Sequence, residues 1–177
     1  NNVGIGGAEK IMAPNGQAQI RAKSLTDAYS ILFKHYSYTY KEKEDSAPNW
    51  IDTRDTRDRD IGVSAYRDKL GQGFQKIGDI FSEELNAERK KPFEMRQVME
   101  ALIDRDGGHL ERWSGVSEGE TAIVWETRLG GYGTGLIGIE SKPLGRLGRP
   151  PHDGPENFSG GTLYPHDSKK VARAINS

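Results

Sequence analysis

The 177-residue chain carries a formal net charge of -1, no cysteine and 22 glycines, with 34% hydrophobic and 29% charged residues. That balance gives no global attraction to nucleic acid or anionic membrane, and it excludes disulfides and thiolate metal sites. No apolar run approaches the roughly 20 residues of a membrane span, and the lean apolar content suits a piece that buries surface against neighbouring segments or subunits.

The opening NNVGIGGAEK shows no basic-then-apolar signal pattern, so a reducing, cytoplasmic setting is the default. Asn1 stands where an initiator methionine would, and the run Asp167 to Ser177 begins as a helix and stops without a glycine cap. The chain therefore reads as a segment of a larger polypeptide. After the glycine-rich Val3 to Gly7, Asn15-Gly16 marks a tight turn and Gln17 to Ala22 reads as a short strand. Ser24 to Asp27 fits a capping box for a helix near 26–38, with Ala28, Ile31, Leu32 and His35 on one face. His35 reads as a packed or surface histidine.

Asp52, Asp55, Asp58 and Asp60 lie within IDTRDTRDRD, interleaved with Arg54, Arg57 and Arg59. Their spacing fits no calcium loop and the arginines repel a cation, so this stretch reads as solvated and self-paired. Phe74, Ile77, Ile80, Phe81 and Leu85 predict a second amphipathic helix ending near Glu88. Arg89 to Pro92 reads as a linker, and Phe93 to Ile103 as a third helix stopped by Asp104 to Gly108.

Thr121 to Lys142 reads as strand, glycine turn, strand. Adjacent antiparallel strands are expected at Thr121–Arg128 and Gly135–Glu140, with the turn across Leu129 to Gly133. Gly133-Thr-Gly135-Leu-Ile-Gly138 also matches the dinucleotide pattern G-x-G-x-x-G. That pattern needs a helix opening at the glycines, whereas Leu136 to Ile139 is strand-like. His109, His152 and His166 have neither zinc spacing nor a nucleophile elbow. Pro143 to Gly161 is a long glycine- and proline-rich loop, and a last helix is expected near 167–176.

Several of these stretches together resemble the carboxyltransferase domain of biotin-dependent acyl-CoA carboxylases, in its long single-chain acetyl-CoA carboxylase form. Gly6-Gly7-Ala-Glu-Lys-Ile11-Met12 with Asn15-Gly16 is similar to the family's GG-x-x-I-M…N-G, with one residue inserted. The helix ending His35-Tyr-Ser-Tyr38 sits where the family has a W-M-S-Y-like sequence, and Asp55 to Arg59 resembles D-T-W-D-R with arginine for tryptophan. Arg128-Leu-Gly-Gly131 followed by Gly135-Leu-Ile-Gly-Ile-Glu140 is similar to R-L-G-G-x-P-x-G-V-I-G-V-E. Tyr164 to Asn176 resembles H-P-x-S-x-x-K-x-A-x-A-I-x-D.

The resemblance implies an α/β, crotonase-like carboxyltransferase fold, a superhelix of ββα units, of which this chain is an incomplete fragment. Residues 1–61 would end the N-terminal subdomain, 62–92 would form a linker or insertion without a matching motif, and 93–177 would open the C-terminal subdomain. It implies transfer of a carboxyl group from carboxybiotin to acetyl-CoA or another short acyl-CoA, with oxyanion-hole glycine loops outside this segment, so that the isolated chain is inactive. Biotin would arrive on a separate carrier domain, a coenzyme A thioester would be the substrate, and no metal is required. The implied partners are the biotin carboxyl carrier and biotin carboxylase domains and a second copy in a homo-oligomer, with no nucleic acid and no membrane. Lys142 occupies the place of an arginine in the family's G-V-E-T-R and is the one candidate substrate-binding side chain. Gly130, Gly131 and Gly135 read as structural turn glycines. The alternatives are a non-catalytic scaffold segment of the same multienzyme and an unrelated nucleotide-binding enzyme.

Overall fold

The computed structural model describes residues 2–56, 58–147 and 154–177. Arg57 and His152, both singled out above, lie outside the described residues. The chain opens with α1 (Asn2–Gly6) and a π-helical turn (Ala8–Met12), followed by α2 (Leu25–Thr39). Two short helices come next, α3 (Ile77–Ile80) and α4 (Met95–Leu102). The strands are β1 (His109–Arg112), β2 (Ala122–Leu129), β3 (Tyr132–Ile139), β4 (Leu144–Gly145) and β5 (Asn157–Phe158), and α5 (Pro165–Ile175) closes the chain. The architecture is mixed helix and strand.

A three-stranded antiparallel sheet in the order β1-β2-β3 forms the centre. Its middle strand is buried from Ala122 to Thr127, because alternate residues serve two apolar layers. Ile123 and Trp125 pack with Met99 and Ile103 against α4, whereas Val124 packs with Trp113 and Val116 on the opposite face, where Ala174 of α5 covers them. Gly138 of β3 is the point of closest approach on the α4 side: a Cβ there would meet the Met99 sulfur and the Met95 side chain.

The hairpin joining β2 to β3 turns in two residues, tighter than the five-residue turn expected. Gly130 and Gly131 both have positive φ, 59° and 87°, as the primed hairpin turns require. Gly133 and Gly135 are consequently strand residues, paired with Arg128 and Glu126. This strand removes the dinucleotide-loop alternative, since no helix starts at these glycines. Buried Asp104 holds the turn, its two carboxylate oxygens accepting the N–H groups of Gly130 at 2.8 Å and Gly131 at 2.7 Å.

Two expectations need correction and a third an addition. Residues 74–88 form no continuous helix; α3 is a single turn. Phe74, Ile77 and Ile80 do cluster with Tyr66 against Phe93 and Val98, but the Asn86 amide takes the Ile80 carbonyl at 2.8 Å and stops the helix, as side-chain amides competing for the backbone do. Residues 17–22 form no strand, although Gln19 accepts the Trp113 N–H at 2.6 Å. The 52–60 stretch is exposed at Asp52, Arg54, Thr56, Asp58 and Asp60 and self-paired as expected, but it is also docked through Asp55 and Arg59. Arg59 pairs with Asp55 at 2.6 Å and donates to the carbonyls of Ala101, Leu102 and Ile103 at the end of α4, which satisfies orphan helix carbonyls with a fixed fork.

At the other end of the sheet, Asp167 of α5 is fully buried and accepts from Thr121 Oγ1 and the Ala122 N–H. Lys170, one turn on, donates to the carbonyls of Gly119 and Ala122. Burial pulls the Lys170 ammonium from its ordinary 10.5 down to about 8, against the opposing pull of Glu111, Asp167 and Glu120.

Two outcomes follow for stability. Arg59→Ala should cost about 3 kcal/mol or more, because it strands a buried carboxylate and three helix-end carbonyls, and Arg59→Lys should restore less than half; urea midpoints measure both. The unfolded chain binds the Lys170 proton more tightly than the folded one between about pH 8 and 10.5. Stability of the wild type relative to Lys170→Met should therefore be flat below that window and rise across it by up to about 3 kcal/mol.

Candidate functional site

The start of α4 meets the end of β3 at a buried carboxylate. Glu140, one residue past β3, is 1% exposed because it takes over the role of helix cap. Its Oε1 accepts the N–H of Met95, the first residue of α4, at 2.8 Å and that of Ser141 at 3.0 Å. Its Oε2 faces Arg96 Nη1 at 3.5 Å, and Arg96 forks onto Glu111 of β1 at 2.7 and 3.3 Å.

Beside this anchor opens a cleft of about 680 Å³ lined by Tyr66, Arg67, Lys69, Glu94, Gln97 and Lys142, among others. Lys142 lies two residues past Glu140 and is part-buried, its ammonium 2.6 Å from Glu94 Oε1. Glu94 Oε2 accepts from Gln97 at 2.5 Å and faces Lys69 at 3.4 Å. Burial pushes the Glu94 carboxyl up. The hydrogen bonds from Lys142 and Gln97, with the charges of Lys142 and Lys69, outweigh it and hold the group below the usual carboxylate range.

One wall comes from the stretch with no sequence motif. Tyr66 Oη accepts the Glu94 N–H at 2.9 Å, and Gln97 clips the backbone of Arg67 on both sides, at 2.8 and 2.9 Å. Lys142 was the only cleft residue given a binding role from sequence; Glu94, Gln97, Arg67 and Lys69 were missed. The one available signal was Glu94 directly before the third helix, where a carboxylate favours the helix N-terminus. The arrangement can hold an anion beside several ammonium and guanidinium donors.

The remaining candidates disperse. Gly130 and Gly131 sit at the hairpin turn, and Gly135 lies in β3 with open space beside it. His35 Nδ1 contacts Glu126 at 2.7 Å, and Arg112 reaches the other Glu126 oxygen at 3.1 Å. His109 stacks on Trp125 with ring centroids 3.6 Å apart, and burial lowers its pKa. His166 contacts the Ser117 carbonyl. Among the described residues, no group of three or more His, Cys, Asp or Glu side chains could hold a metal ion. A wider cleft of about 860 Å³ lies between residues 9–21 and 114–117, with the Glu9–Arg21 pair at its rim.

A family model described as the carboxyl transferase domain matches residues 2–177. The chain belongs to the carboxyl transferase domain family. It is 27% identical over 193 residues to "Acetyl-CoA carboxylase, mitochondrial" of Saccharomyces cerevisiae strain RM11-1a, and equally to that of strain JAY291. Each match covers 99% of this chain and 7% of the relative, so the chain spans a small part of the length of the curated relatives it matches. Within the carboxyl transferase domain, the stretch from Arg128 to Glu140 is the β2–β3 hairpin with its helix-capping carboxylate. The stretch around Asp55 and Arg59 is the clasp on the end of α4, and that from Tyr164 to Asn176 is α5.

Gln97→Ala should free residues 65–69 from α4. Amide hydrogen exchange at Arg67 should quicken by roughly tenfold or more, the loss of about one to two hydrogen bonds, while exchange along β2 stays unchanged.

Proposed function

We propose that the chain is part of the carboxyltransferase of a biotin-dependent acyl-CoA carboxylase, which moves a carboxyl group from carboxybiotin to acetyl-CoA or another short acyl-CoA to give malonyl-CoA. The observation that carries this reading is the match of the whole described chain to the carboxyl transferase domain. The relatives' printed name supports it further, as does the cleft at the end of β3, where Arg67, Lys69, Arg96 and Lys142 face Glu94, Glu100 and Glu140. The succession of β2, β3 and α5 supports a crotonase-like ββα unit, with 1–61 ending one subdomain, 62–92 joining it and 93–177 opening the next. The partners on this reading are biotin carboxylase and biotin carboxyl carrier domains and a second copy of the chain. A cytoplasmic setting is proposed as the default; the relatives' name carries the word mitochondrial, and cell fractionation decides between them.

Carboxyl transfer through a thioester enolate needs backbone N–H groups aimed at the developing oxyanion. In this chain the hairpin glycines are committed elsewhere, since Asp104 takes both the Gly130 and the Gly131 N–H. These two N–H groups are therefore occupied, which supports the reading that the oxyanion loops lie outside this segment. The role proposed for this chain is binding: Lys142 presents a cation to the substrate carboxylate.

The isolated 177-residue chain should show no exchange of carboxylate between malonyl-CoA and biotin; turnover by it would overturn the placement of the oxyanion loops outside it. In the complete carboxyltransferase, Lys142→Ala removes a charge-assisted contact typically worth ~1.5–3 kcal/mol. It should lower kcat/KM by roughly tenfold to a hundredfold, and Lys142→Arg should retain activity. An unchanged kcat/KM with both acetyl-CoA and propionyl-CoA would leave Lys142 a structural ion-pair partner.

A further inference from the structure

We infer that Glu94 is a positioning residue for the carboxylate-binding ammonium of Lys142, an inference that rests on the Lys142 reading above. The geometry carries it. A lysine stem has four rotatable bonds and its ammonium is a point charge without a fixed fork, so something else must aim it. Glu94 does so from a rigid base. Its backbone N–H is fastened to Tyr66 Oη at 2.9 Å, and its side chain is held by Gln97 at 2.5 Å. The carboxylate then takes one Lys142 donor at 2.6 Å, and an ammonium keeps two further donors for another acceptor.

Charge makes the same point independently. Lys142 and Lys69 contact opposite oxygens of the one Glu94 carboxylate, at 2.6 and 3.4 Å. Their ammonium groups thus lie within the ~10 Å Debye length of ~0.1 M salt, and they repel each other unless Glu94 stands between them. Of the cleft carboxylates Glu94, Glu100 and Glu140, Glu140 faces the neighbouring Arg96, and Glu94 is the one that contacts both lysines. Glu94 therefore does more than remove a charge from the cleft; it makes room for Lys142 to stay in it.

The test uses the complete carboxyltransferase, with calorimetric binding of malonyl-CoA, which bears the carboxylate, and acetyl-CoA, which lacks it. Glu94→Gln should weaken malonyl-CoA by about tenfold, one charge-assisted hydrogen bond's worth, and leave acetyl-CoA within about twofold. Glu94→Asp should recover most of the loss, and adding Lys69→Met to Glu94→Gln should recover part of it by removing the repulsion. If Lys142→Ala weakens malonyl-CoA and Glu94→Gln does not, the positioning role is overturned and the Lys142 reading stands. If neither substitution weakens it, the Lys142 reading fails and takes the inference with it. Equal weakening of both ligands with a lowered melting temperature would reduce Glu94 to a structural support and overturn the inference.

Discussion

The Glu140 carboxylate is the constraint on which the centre of this molecule depends. A charge that is 1% exposed is tolerated only when fully partnered, and its partners are the first N–H of α4, the Arg96 side chain of the same helix, which also grips Glu111 of β1, and the Ser141 N–H beyond β3. Sheet edge, helix start and the chain leaving the hairpin are thereby held at one point. The distance between Lys142 and Glu94 is a by-product of that anchorage, since one lies two residues after Glu140 and the other just before the helix it caps. Glu140 lines the cleft itself, so loosening it would misplace the rest of that lining as well.

The lean composition makes sense once the core is seen to be divided. Among the described residues, most buried apolar side chains gather in three small clusters, and buried polar ties hold the layers together. Asp167 and Lys170 bind α5 to the start of β2, Asp104 binds the end of α4 to the hairpin turn, and Glu126 binds β2 to His35 of α2. Such ties add little net stability compared with burial of equivalent apolar groups, but each is satisfied in one arrangement only. Register in a sheet with so many glycines is set in this way, where side-chain packing alone would leave it slack.

What was legible in the sequence follows from the range of the forces involved. The β2–β3 hairpin and the helices at Leu25–Thr39, Met95–Leu102 and Pro165–Ile175 are written locally, in periodicity, caps and turn glycines, and they appear where expected. The helix anticipated over 74–88 had the right period, but a single amide, Asn86, takes a carbonyl six residues back. Asp104 looked like part of a helix stop; its real partners lie 26 and 27 residues away. Glu94 and Lys142 are 48 residues apart, and no spacing rule joins them. The family resemblance pointed to Lys142 because it compares positions, and it was silent on residues 65–69 because no motif runs through them.

The short β4–β5 pair has a consequence for how this chain can vary. Leu144 with Phe158 and Gly145 with Asn157 close the base of the loop between them, and a further backbone bond from Arg146 to Glu156 tightens it. Closing the base separates length from stability: once the two ends are held by the ladder, doubling the number of residues between them costs only about 0.6 kcal/mol in closure entropy. The spacing between Arg146 and Glu156 is thus a cheap variable for the chain, whereas the spacing across the two-residue β2–β3 turn is not.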